Sequence, residues 1–208
     1  MQMHVGSTGL PEYMFSIRGQ WCMKIGTEEK PVEVRKRAPK APFRGYIYCT
    51  KSLVDGFYVG NSKHGIGLLT PGQEDMWPED AVVWNGKVIG EFIGNKVFDY
   101  WPGYTGNEGD SCLTFEQECD YLGDNGHGYG IHISELKIYD EPLTLDNFRK
   151  PCIMPEMPYC PMCPVGGEYI SEDEAEAYRI DGCCYTEWVC RNWLKKAPQS
   201  WCRVERIH

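Results

Sequence analysis

Apolar and polar residues alternate along six stretches of this chain, and a period of two predicts a strand in each. Residues 13–18 (YMFSIR) put Phe15 and Ile17 on one side and Ser16 and Arg18 on the other. Residues 32–37 (VEVRKR) alternate most cleanly, with Val32 and Val34 opposite Glu33, Arg35 and Arg37. Residues 43–50, 87–100, 131–139 and 199–207 supply the other four, and Gly94-Asn95 marks a bulge inside the fourth. Helical signals are few. Residues 20–25 suit a short helix, and residues 114–122 a second. Thr114 and Gln117 there have capping-box spacing, Phe115, Cys119 and Leu122 share a face, and Gly123 can end the helix. Between strands three and four, residues 52–86 are glycine-rich and end in Asn85-Gly86, which predicts a long ordered loop with a hairpin turn. Many strands and few short helices predict a mainly β (α+β) domain closed into a small barrel.

Length sets the domain count. The 208 residues suffice for one core and a small appendage. We read residues 1–12 as an extension, 13–150 with 194–208 as the barrel, and 151–193 as an insertion. No apolar run is long enough to cross a bilayer as a helix. Residues 1–10 lack the apolar centre of a signal peptide, so the expected location is the cytoplasm, with thiols reduced.

In that setting the eleven cysteines change the picture. Cys22, Cys49, Cys112, Cys119 and Cys202 are scattered and read as small core residues; the other six lie between positions 152 and 190. Cys160-Pro-Met-Cys163 has the spacing that lets two thiolates grip a tetrahedral zinc ion, and Cys183, Cys184 and Cys190 follow some twenty residues on. The expected ligands are Cys160, Cys163, Cys184 and Cys190, with Cys183 or Cys152 as substitutes. Four thiolates leave no open position, so the zinc would be structural.

Charge is polarised. The net charge is −9, yet residues 35–44 (RKRAPKAPFR) carry Arg35, Lys36, Arg37, Lys40 and Arg44 with no acid. Residues 151–190 hold eight acids against Arg179 alone. A basic stripe on an acidic body suits phosphate binding, and the acidic insertion suits a protein partner.

Five blocks then occur in a fixed order: SIRGQWCMKI at 16–25, EKPVEVRKRAPKAPFRGYIYCTK at 29–51, GKVIGEFI at 86–93, GYGIHISELKIYDEP at 128–142 and APQSWCRVE at 197–205. In this the chain resembles ASCH-domain proteins, above all those of bacteriophages and prophages. The resemblance implies a PUA-like β-barrel that binds RNA in a cleft; some members hydrolyse RNA or deacylate a modified nucleoside. Lys30, Glu33 and Arg35 match the family's cleft positions. Glu28 and Pro31 depart from its glycine and threonine, and the threonine that deacylating members carry at the position of Glu33 is absent. A binding module for RNA or a nucleotide is therefore the first expectation. A hydrolase acting on RNA or a modified nucleoside, and a phage-encoded protein engaging a host factor, are the alternatives.

Arginine offers a planar fork to phosphate and lysine a compact cation. A carboxylate between them can pair with either or act as a general base. The expected nucleic-acid contacts are Arg18, Lys30, Glu33, Arg35, Lys36, Arg37, Lys40 and Ser134. If the chain is an enzyme, the expected catalytic groups are Lys30, Glu33 and His132, the last as an acid–base group. Trp21, Tyr46 and Tyr48 are candidates for stacking on a base.

Overall fold

The computed structural model describes residues 9–53, 56–61, 65–76, 81–106, 110–123, 126–151 and 194–206. Residues 152–193 of the insertion, with all six of its cysteines, lie outside them, so the zinc expectation meets no structural description. Among the described residues no group of three His, Cys, Asp or Glu side chains could hold a metal, and no helix is long and apolar enough to cross a membrane.

The elements run β1 (Glu12–Ile17), α1 (Gly19–Gly26), β2 (Val32–Arg35), β3 (Phe43–Cys49), β4 (Phe57–Asn61), β5 (Gly65–Leu69), β6 (Val88–Tyr100), α2 (Phe115–Leu122), β7 (Gly128–Leu143), β8 (Phe148–Arg149), β9 (Trp201–Arg203) and β10 (Glu205–Arg206). Six strands form one sheet in the order β2-β7-β6-β3-β1-β9. Only the β1–β3 pair is parallel, and its register sets Phe15 beside Ile47. The hairpin β4–β5 lies within the stretch expected to be a loop. β6 shifts register at three places, one of them the expected bulge between Gly94 and Lys96.

The sheet curls around a core of Phe15, Ile17, Cys22, Phe43, Ile47, Trp84, Phe92 and Ile131. Phe43 pairs with Gly94, and Phe92 with Gly45. Each ring occupies the space that a Cβ on the glycine opposite would need. On the convex face Met14, Tyr46, Tyr48 and Tyr139 pack under Phe148, Leu194 and Val204, while Val32, Val34 and Tyr100 pack with Leu122 of α2. Tyr46 and Tyr48 are thus buried structural residues.

α2 keeps its predicted cap: Thr114 and Gln117 make both halves of the capping box. Its buried face keeps Leu122 but not Phe115. Glu118 and Leu122 point inward, while Phe115 is 60% exposed. A carboxylate displaces the ring because it finds three donors inside: the Tyr100 hydroxyl, the Ser111 hydroxyl at 3.1 Å and the Gly103 N–H at 2.7 Å.

Candidate functional site

The sheet's two edges, β2 on one side and β1 with β9 on the other, meet through side chains. The Arg35 guanidinium crosses the gap and donates to the Ser16 carbonyl at 2.7 Å and to Ser200 Oγ at 3.3 Å. From the far edge, Trp201 Nε1 donates to the Arg37 carbonyl at 2.7 Å. These three bonds form a polar seam along β2.

Alternation on β2 is as expected, with Glu33 and Arg35 on the face opposite Val32 and Val34. Both faces are covered, however, and all four residues are buried. Lys30, Glu33 and Arg35 are only 2%, 6% and 6% exposed. Glu33 bridges the two cations, with Oε1 at 2.9 Å from Arg35 and Oε2 at 3.6 Å from Lys30 Nζ. Both cations have further partners, as buried charges require, although Arg35 Nε has no hydrogen-bond partner among the described residues. Lys30 donates to the Val32 carbonyl at 2.8 Å and to the Ser111 carbonyl, and it lies 5.5 Å from the centre of the Trp21 ring. Arg35 sits 5.9 Å from the centre of the Phe15 ring. Burial pulls the Lys30 ammonium below its usual range, against the opposing pull of Glu33. The row carries two positive charges and one negative.

Two residues in the left-handed region flank Lys30. Glu28 (φ 62°) ends the turn after α1, and Cys112 (φ 59°) follows Ser111. Neither is glycine, so the backbone is strained on both sides of the lysine. The turns are pinned to each other by the Cys112 thiol on the Glu29 carbonyl at 3.3 Å.

The exposed basic residues follow the seam. Arg18, Lys36, Arg37 and Lys40 all face solvent. Arg18 is the residue before α1, whose N-terminus has no side-chain cap and no acid in its first turn. Lys36 lies 5.8 Å from the centre of the Tyr121 ring. The basic stripe expected from the sequence is therefore split, with Lys30 and Arg35 inside the seam and the others outside.

His132 does not join Lys30 and Glu33. It pairs with Val32 across the ladder, whereas Glu33 pairs with Ile131, so the imidazole lies on the other face of the sheet. There it contacts Asn95 Oδ1 at 2.9 Å. Ser134 donates to the Ile93 carbonyl at 2.9 Å. The sequence placed Ser16 only on the polar face of β1 and did not point to Ser111, Ser200 or Glu118, which complete the row. Their contributions are a backbone carbonyl, loop hydroxyls and a helical acid that resembles any surface glutamate.

No protein-family model matches the chain, and no curated protein matches it in sequence. Among solved structures it is similar to the crystal structure of ASCH from Zymomonas mobilis, with 15% identity and a TM-score of 0.45, over 80% of this chain and 92% of that one. Two mutants of that protein are similar at 14% identity and the same TM-score, over 95% and 93% of their length. A TM-score of 0.45 leaves fold and function to be argued from the chain itself.

Proposed function

We propose that this chain is an ASCH-type, PUA-like domain protein, phage or prophage encoded, that binds single-stranded RNA or a nucleotide along the seam between β2 and β1–β9. The observation that carries the reading is the row Lys30–Glu33–Arg35, two buried cations sharing one carboxylate, with Arg18, Lys36, Arg37 and Lys40 exposed around it. The buried row sets the shape and positive potential of the seam, and the exposed cations meet phosphates. The five ordered sequence blocks support the family, because Lys30, Glu33 and Arg35 fall on its cleft positions. Binding needs only these cations. Hydrolysis would need an acid–base partner beside Glu33, and His132 faces away from it. Residues 152–193 carry a separate proposal, a structural zinc ion on Cys160, Cys163, Cys184 and Cys190, supported by their spacing.

Fluorescence anisotropy with a labelled single-stranded RNA tests the reading. Affinity should fall with salt at a log–log slope of about −3 if four phosphates are met. Lys36→Ala with Arg37→Ala, both exposed, should weaken binding several-fold and flatten that slope. Salt-independent binding, or a double variant that binds like the wild type, would remove the seam as the site.

A further inference from the structure

We propose that Glu118, on α2, is a positioning residue for Lys30, and that it acts through Tyr100 and Ser111. The inference rests on the reading of Lys30 as part of the binding site, but its central test does not require RNA.

Glu118 is 5% exposed and has no cation within ion-pairing distance among the described residues. Its two oxygens are instead taken up by three donors on the loop after β6 and its root: the Tyr100 hydroxyl, Ser111 Oγ and the Gly103 N–H. Ser111 is the hub. Its hydroxyl also accepts from the Leu113 N–H at 3.2 Å and lies 3.0 Å from the Tyr100 oxygen, whose one proton goes to Glu118, while its carbonyl accepts from Lys30 Nζ. Lys30 and Ser111 are 81 residues apart in sequence. The next residue, Cys112, is in the left-handed region; its N–H donates to Asp110 Oδ1 at 2.6 Å and its thiol to the Glu29 carbonyl. A left-handed cysteine persists only when its surroundings over-determine it; to these contacts the Glu118 carboxylate adds the bond to Ser111 Oγ, which ties the turn to α2. Helix α2 therefore fixes where a buried ammonium points, from the opposite face of β2.

The position is specific to a carboxylate. Glutamine has one acceptor and presents an NH₂ donor where the second oxygen stood. Facing the Gly103 N–H it would meet donor against donor, and turned the other way it would force Tyr100 and Ser111 to reverse their bonds and accept. Released, the Ser111 carbonyl leaves Lys30 with one carbonyl acceptor, next to solvent admitted by the loosened turn.

Nitrogen-15 NMR of lysine side chains tests this directly. A buried, hydrogen-bonded Nζ exchanges its protons slowly and gives a cross-peak, which Lys30→Arg assigns by its disappearance. Glu118→Gln should abolish or broaden the Lys30 cross-peak, and Tyr100→Phe, which removes one of the three donors, should weaken it. Both variants should keep the sheet's amide spectrum. In the RNA assay Glu118→Gln should lower affinity by the same factor as Lys30→Met. A Lys30 cross-peak unchanged in folded Glu118→Gln overturns the inference; if that variant does not fold, an unchanged peak in Tyr100→Phe overturns it. If the wild type binds no RNA while the cross-peak still responds, the binding reading fails and the positioning role stands.

Discussion

Replacing Glu33 with glutamine removes one charge and almost no volume, so its effect isolates the electrostatics of the seam. The carboxylate lies 2.9 Å from Arg35 and 3.6 Å from Lys30. With an effective dielectric of about 20, each attraction is roughly 5 kcal/mol. The amide keeps a hydrogen bond to one cation, and the cations keep their carbonyl partners. The expected loss is therefore that of breaking a buried pair, about 3–5 kcal/mol. For a chain of this size, that lowers the melting temperature by about 6–20 °C. Urea unfolding followed by tryptophan fluorescence gives the free energy. Adding Lys30→Met to Glu33→Gln removes one orphaned cation, so the double variant should be more stable than the two single losses predict, by about 1–3 kcal/mol. A loss below about 1 kcal/mol for Glu33→Gln, or strict additivity, would show that the row is solvated and would refute the account of a buried seam.

Burial raises the hydroxyls of Tyr46, Tyr48, Tyr100 and Tyr139 above the usual tyrosine range. Folding therefore favours their protonated forms, and that stability is intact below pH about 10 and lost as pH rises further. Lys30 is shifted down, so stability on its account rises with pH; the four phenols, joined by the raised thiols of Cys22, Cys112 and Cys202, outweigh it and make the melting temperature fall above pH about 10. Absorbance at 295 nm should show these four phenols ionising only on unfolding. Gly94→Ala drives a methyl into the Phe43 ring and should cost about 1–3 kcal/mol in urea melts, partly recovered by Phe43→Leu. The purified chain should hold about one zinc equivalent by atomic absorption, reduced by Cys163→Ser with no change in the melting of the barrel.

What the sequence revealed was chiefly what is local. Period-two alternation found β1, β2, β3 and β6, and the Thr114–Gln117 spacing found the start of α2, because each depends on neighbours a few residues away. The β4–β5 hairpin was hidden by Gly60, Gly65 and Gly67, which dilute its apolar pattern. Of the inner face expected for α2, Leu122 is buried, but Glu118 takes the place of Phe115, because Tyr100, Gly103 and Ser111 are brought to it from elsewhere in the chain. The candidate site divides the same way. Lys30, Glu33 and Arg35 stand together in sequence, whereas the groups that hold them come from 81 and 165 residues away. The burial of β2 on both faces was equally illegible, because it depends on the curl of the whole sheet.

The seam also has a kinetic consequence. Ser16 reaches across 182 residues to the Pro198 carbonyl at 2.6 Å, beside the bonds that Arg35 makes. Closing a loop of that length costs about 4–5 kcal/mol of chain entropy, and contacts so distant in sequence form late. The antiparallel run β3-β6-β7-β2 can assemble first, leaving Glu33 and Arg35 open to water until β9 arrives beside β1. Seam closure then desolvates the charge row and adds the Arg35 bonds to Ser16 and Ser200 in one step. Substitutions at Arg35, Ser200 and Trp201 should therefore speed unfolding while leaving the early folding rate unchanged.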